Sequence, residues 1–384
     1  MDDGGAAPPH GDDVGEFVAW VLTLRSWSAA WDALRKRSDA GDFAFLGDVV
    51  VEAERHRPSD GGYLPSNLGS IHDFARALLA KSPTGSAAVE LTRLASVGSD
   101  AALALQASHV ASQQALDTAV QLFVGPAENA AVHRLRELLA QELLLRNPEA
   151  ASDPVLTAWW ASDRPADPLQ WLPPVLADFE HDAVLQKYDL GGGSCAIPFG
   201  PYCDATDNVS ATERPHRALA WQPQPEDPVR TARLAAPFDP FWKSETRTVR
   251  FDTPLGPDDV ADALLSLGLD ALAGIEHGPR MWCAQLTPHD VWEQMFAATA
   301  NGGAYGSGDG AGIARLAAAQ GMAALMGLPA DGSFEDVVAA ADASTWYRFD
   351  AQSDWYEQVA WDSGVACLAP DRRQLAVVAA TDTD

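Results

Sequence analysis

Three aspartates near the end of the chain, Asp350, Asp354 and Asp362, lie among tryptophans in the run WYRFDAQSDWYEQVAWDSG. Carboxylates that converge can share a proton or hold a hard cation, so these three, with Glu357, are the first candidates for acid–base chemistry. Their spacing matches no calcium-binding loop. Alternation along an extended chain puts Trp346, Arg348 and Asp350 on one face and Tyr347 and Phe349 on the other, the pattern of a strand with a buried aromatic face. On the functional reading Trp346, Asp350, Asp354, Trp355 and Asp362 contact a ligand. On the structural reading the tryptophans are core and Arg348 pairs with an aspartate.

The second candidate is the glycine-rich stretch NGGAYGSGDGAG, which runs directly into a helix as phosphate-cradling loops do. Gly306, Gly308 and Ala311 satisfy a GxGxxA spacing. A dinucleotide site also needs a preceding strand, whereas HDVWEQMFAATA reads as a helix, and no Gly-Lys-Ser/Thr follows. Asp309 would itself occupy the positive helix end. Tyr305, Gly306, Ser307, Gly308, Asp309 and Arg315 are therefore candidate contacts for a neutral or cationic group, with a tightly turning helix connection as the structural alternative.

Other patterns carry less. His289 and Glu293 are four apart, as metal ligands on one helix face can be, but His289 also follows the cap Thr287-Pro288. Gly192-Gly193-Ser194-Cys195-Ala196 is half of a nucleophile elbow. Cys195 and Cys203 match no zinc template, and the four cysteines read as reduced thiols. No metal site is expected, and no cofactor can be named.

The elements that must position these residues follow from periodicity and punctuation. Apolar residues recur at helical steps over Glu16–Arg37, predicting one core helix, and another spans Phe43–Ala53. Ser70, with Asp73, predicts a helix start running to Lys81. Helices follow over Gly85–Val97, Asp100–Ala111, Gln113–Val124 and Glu128–Arg146, the first, third and fourth followed by glycine or proline. Beyond a helix and proline turns near 153–180, residues 201–240 carry seven prolines and exclude long elements. Strands are expected at Thr246–Asp252, Trp346–Phe349, Gln358–Trp361, Gly364–Leu368 and Gln374–Ala380, the last two as a hairpin. Helices are expected at His289–Ala300, Ile313–Met326 and Ser333–Ala343. The fold class is thus α+β, with a disordered start (1–14), a helical domain (15–180), a loop-rich join (181–245) and an α+β domain with a small antiparallel sheet (246–384).

Composition bounds the partners. The 384 residues carry a net charge of -28, which excludes nucleic acid and anionic membrane as partners, because phosphate neutralisation needs clustered Lys and Arg. A protein or small molecule of basic character fits better. Neither a signal peptide nor a membrane span is visible, so a cytoplasmic location is expected. Four lysines stand against 22 arginines in an Ala-, Gly- and Pro-rich chain, as in translations of GC-rich genomes.

Over Asn301 to Asp384, through NGGAYGSGDGAGIARLAA, STWYRFDAQSDWYEQVAWDSG and the closing Thr-Asp-Thr-Asp, the chain resembles an uncharacterised actinobacterial family, the domain of unknown function numbered 6183. The resemblance implies a bacterial host and a distinctive module over the last 84 residues. It brings no activity, cofactor, fold or catalytic residue. The expectation for function is a non-enzymatic binding or regulatory protein, immunity-like in kind, that offers an acidic aromatic surface. The alternative is an enzyme working between the glycine loop and the aspartates.

Overall fold

The computed structural model describes residues 9, 11–59, 62–97, 99–127, 129–189, 192–194, 216–225, 227–239, 242–275, 281–303, 308–356 and 361–382. They form an α+β fold in two compact units. Met1–Asp167 with Lys187–Ser194 make the first, and Pro168–Gln186 with Cys195–Asp384 the second.

The first unit is built on α1 (Val14–Thr23), α2 (Ser28–Asp39), α3 (Phe43–Glu54), α4 (Ser66–Lys81), α5 (Gly85–Leu94), α6 (Asp100–Gln113), α7 (Leu116–Ala119), α8 (Ala130–Arg146) and α9 (Pro154–Trp160). The single helix expected over Glu16–Arg37 is two. Asn67 donates to the carbonyls of Val21 (3.3 Å) and Leu24 (2.9 Å), satisfying the end of α1, and the chain re-enters a helix at Ser28. Helix α4 starts at Ser66 rather than Ser70, directly after Pro65, whose ψ of 137° makes it the residue before the first turn. The helix expected over Gln113–Val124 is divided into the end of α6, short α7 and a 3₁₀ turn over Val120–Phe123.

Leu46, Val49 and Val50 of α3, Ile71 and Leu79 of α4, Leu91 of α5 and Val110 of α6 are fully buried, and Trp31 stacks on Phe74 at 4.9 Å. Helix α8 is buried on nearly every side from Leu135 to Leu145, so its Arg136, Glu137, Gln141 and Glu142 are buried with it. A short antiparallel hairpin, β1 (Lys187–Asp189) with β2 (Gly192–Ser194), belongs to this unit. Ser194 is the last residue of strand β2; the residues that follow it, Cys195 and Cys203 among them, lie outside the described residues.

The second unit is a six-stranded antiparallel sheet with helices on one face and a mixed segment on the other. Its strands are β3 (Trp221–Pro223), β4 (Lys243–Phe251), β5 (Met281–Leu286), β6 (Thr345–Ala351), β7 (Asp362–Leu368) and β8 (Gln374–Thr381), in the spatial order β3-β4-β8-β7-β6-β5. The expected final hairpin is β7–β8. Of the strand expected over Gln358–Trp361, residues 358–360 lie outside the described set and Trp361 is in a turn. Its helices are α10 (Pro228–Ala235), α11 (Val260–Ser266), α12 (Pro288–Asn301), α13 (Gly310–Met326) and α14 (Phe334–Ala343).

Phe349, Ala366, Leu375, Val377 and Ala379 form one apolar face with Val260, Ala263 and Leu264 of α11. Helices α12 and α13 pack closely, since a Cβ at Gly321 would lie 3.0 Å from Met295 Sδ; α13 meets β7 and β8, and α12 meets β5 and β6. The capping boxes Thr287/Asp290 and Ser333/Asp336 start α12 and α14 where the sequence places them.

Candidate functional site

Asp350 and Asp362 lie at the adjoining ends of β6 and β7. Asp362 opens β7 opposite Thr381, the last residue of β8, and the Thr381 hydroxyl donates to its carboxylate at 2.7 Å. Asp350, next to last in β6, accepts from the Ala351 amide at 2.7 Å. Both are buried, at 4% and 8% exposure. Burial raises the Asp350 carboxyl to about 6; the Ala351 amide opposes that, the Asp362 charge adds to the rise, and Arg348 opposes it. Asp350 is therefore a carboxyl held above its ordinary value chiefly by burial. Asp354 is exposed on the loop between β6 and β7, and Glu357 lies outside the described residues.

Tyr356, fully buried, approaches the same centre, with its hydroxyl 3.4 Å from the Ser363 carbonyl. Burial raises its pKa well above the ordinary tyrosine value, and the Asp350, Asp362 and Glu245 carboxylates push the same way. The Ser363 hydroxyl is buried with no hydrogen-bond partner. Glu245 accepts from the Ala271 amide at 3.3 Å. On β4 the exposed Lys243, in register with Thr381, places its ammonium 4.8 Å from the Trp355 ring centroid.

The glycine loop reaches this end of the sheet. Gly302 caps α12 in the left-handed region, and Gly303 follows with φ 82°. A Cβ at Gly303 would fall on the Asp382 carboxylate and 3.2 Å from Trp242 Nε1, so only glycine fits. Asp382 directly follows Thr381, and its amide donates to the Trp361 carbonyl at 3.2 Å. Trp242 and Trp361 meet edge to face at 5.8 Å. At its other end Gly308 (φ 67°) doubles back on α12, where a Cβ would strike the Ala300 carbonyl, and the Asp309 amide donates to the Thr299 carbonyl at 3.0 Å. Burial raises the Asp309 carboxyl. Tyr305, Gly306 and Ser307 lie outside the described residues.

Arg315 is corrected. It is fully buried in α13, forks onto Glu180 at 2.7 and 2.8 Å and donates to the carbonyls of Pro173 and Val175. It is an internal tie of the second unit and cannot greet a ligand at the glycine loop. Trp346 is 1% exposed with its indole N–H on the Ala341 carbonyl, and Trp355 is 9% exposed in the α11 core, so both are packing residues. His289 and Glu293 are also occupied: His289 Nδ1 is 3.0 Å from the Phe179 carbonyl, and Glu293 accepts from the Val184 amide at 3.3 Å. Cys283 and Cys367 are buried thiols outside any disulfide, the second pushed up to about 12 by burial. Among the described residues no group of three or more His, Cys, Asp or Glu could hold a metal ion. No helix of the described residues is long and apolar enough to cross a membrane.

Sequence reasoning missed Trp242, Lys243, Glu245, Tyr356 and Asp382 as members of this centre. Asp382 stood out within Thr-Asp-Thr-Asp, but the strand pairing that delivers Trp242, Lys243 and Glu245 has no local signature.

The family of unknown function DUF6183 matches residues 28–384. The chain belongs to that family, and the likeness covers nearly all of it rather than only the last 84 residues. No curated protein and no solved structure matches it.

Proposed function

From membership of a family without an assigned activity, we propose that this is a binding or regulatory protein that takes up a cationic group at the acidic, aromatic end of its C-terminal sheet. The observation that carries the reading is the meeting of Gly303, Asp382, Trp242 and Trp361 beside the Thr381–Asp362 pair. Tryptophan rings set edge to face with a carboxylate alongside suit an ammonium or guanidinium, which gains from ring quadrupole and charge together. The net charge of -28 draws basic groups toward the chain and repels phosphates. A basic segment of another protein fits both features. The arginine bias supports an actinobacterial host, and the absence of a spanning helix among the described residues accords with a cytoplasmic setting.

Calorimetric titration with a lysine- and arginine-rich peptide tests this reading, against the same peptide with its lysines acetylated and arginines replaced by citrulline. The basic peptide should bind, the neutral one at least tenfold more weakly, and Trp361→Ala with Asp382→Asn should lose most of the affinity. Equal binding of the two peptides, or an unchanged double variant, would sink the proposal.

The raised Asp350 carboxyl favours a second reading, acid–base catalysis with Asp350 as proton carrier. On that reading turnover of an added substrate carries a pH limb near 6 that Asp350→Asn abolishes.

A further inference from the structure

The helical unit has a cavity of about 580 Å³ between the turn that follows the Val120–Phe123 helix, α8 and α9. That volume lies within the usual range for small-molecule sites. Phe123 and Trp159 form its apolar wall, in edge contact at 4.9 Å, and the Arg164 guanidinium lies 4.4 Å from the Trp159 ring centroid while tied to Glu137 at 2.6 Å. The wall is therefore held from behind by an anchored side chain.

Arg136 supplies the charge. It is 6% exposed and lines the cavity, donating through Nε to the Leu122 carbonyl at 2.8 Å, through Nη1 to Gly125 at 3.1 Å and through Nη2 to Val124 at 3.5 Å. A guanidinium has five N–H groups, so about two remain after these three bonds. Burial lowers its pKa, and among the described residues no carboxylate offsets that. Arg37 and Arg57, each paired with a carboxylate, are raised instead. Arginine stays charged in spite of burial, so the positive charge at this wall is balanced only by carbonyl dipoles at the end of a 3₁₀ turn. His133, one turn earlier on α8, also lines the cavity, and its buried Nδ1 has no hydrogen-bond partner.

We propose that this cavity binds a small organic monocarboxylate, with the carboxylate on Arg136 and His133 and an aromatic or branched apolar body against Phe123 and Trp159. A carboxylate would pair with the spare guanidinium donors by charge-assisted hydrogen bonds and satisfy the imidazole nitrogen in the same step. Ser162 and Asp163, both exposed, stand at the mouth. Asp163 and the overall negative charge disfavour dianions, so a single carboxylate on an apolar body is the selected chemistry.

The test is calorimetry and saturation-transfer NMR on the full chain with benzoate, phenylacetate and 4-methylvalerate, each beside its neutral amide. At least one acid should bind saturably and at least tenfold tighter than its amide. Arg136→Gln should reverse that preference. Because Arg136 also holds the 3₁₀ turn, Ala158→Trp, a change at an exposed lining position of α9, provides a variant that blocks the cavity without touching the charge; it should abolish binding of acid and amide alike. The proposal is overturned if none of the three acids binds, if acid and amide bind equally, or if Ala158→Trp leaves acid binding intact.

Discussion

The two units treat buried charge in opposite ways. In the helical unit Glu54, Arg76 and Glu142 are matched with partners of opposite or neutral character. Glu54 bonds Arg57 and lies 3.0 Å from His72; Arg76 donates to Gln106 and to the Val97 carbonyl; Glu142 meets Arg146 and Ser108. In the sheet unit Arg315 and Glu180 follow that rule, whereas the Asp350 carboxyl, although it accepts from the Ala351 amide, is raised by its burial. Opposite charges held together report on architecture, whereas a carboxyl raised by burial works against the fold and persists where it does something else.

The largest expected effect separates the two arrangements inside the sheet unit. Glu180→Gln leaves Arg315 buried without its carboxylate and should cost about 3–5 kcal/mol in urea unfolding. Arg315→Met with Glu180→Leu should recover most of that loss, since a buried ion pair often trades evenly with apolar residues of similar volume. A double variant as unstable as the single one would mean that the pair does more than fill space.

Next comes Asp350→Asn, which should act in the opposite direction. The folded carboxyl is raised to about 6 from an ordinary value of 3.8, so the folded state holds its proton longer and stability falls as pH rises from about 4 to about 6. Above about pH 6 the penalty is complete. The amide removes it and should stabilise the unit by about 1–3 kcal/mol at neutral pH, with nearly no gain at pH 4. Hydrogen exchange in β6 and β7 at the two pH values checks this, and destabilisation at neutral pH would refute the penalty.

A smaller effect of the other sign is expected from Glu54→Gln in the helical unit. Hydrogen bonds from Arg57 and His72 hold the Glu54 carboxyl far below the usual carboxylate range. Its contribution is present above the ordinary glutamate value near 4.5 and fades as pH falls toward the lowered value. The amide should cost about 1–2 kcal/mol at pH 7 and flatten the acid response of exchange in α3 and α4. If acidification below about pH 4 protected α3 and α4 instead, the contrast between the units would be lost.

Legibility in the sequence followed the same division. Helices α12 and α14 could be read from Thr287, Pro288 and Ser333, because a cap is written within four residues of the turn it starts. Strands β6, β7 and β8 were legible from apolar runs and the turn at Pro370-Asp371. β3, three residues long, was not, since an edge strand of that length carries too few alternations to stand out, and the six residues of β5 were not read as a strand either. The aspartates were visible as candidates, but only the β7–β8 register decides that Asp362 meets Thr381 while Asp354 stays in solvent. Arg315 was misplaced for a similar reason: its partner Glu180 is 135 residues away and leaves no mark in the glycine loop.

The order of the sheet carries one more consequence. β8, the last strand to be synthesised, lies in the middle, between β4 and β7. Until residue 381 has left the ribosome, β3–β4 and β5–β6–β7 are separate pieces with unpaired edges, and those edges invite association with other nascent chains. The helical unit can condense during translation; the sheet must wait for its final strand, so a stalled or prematurely terminated chain loses the whole acidic end of the sheet at once.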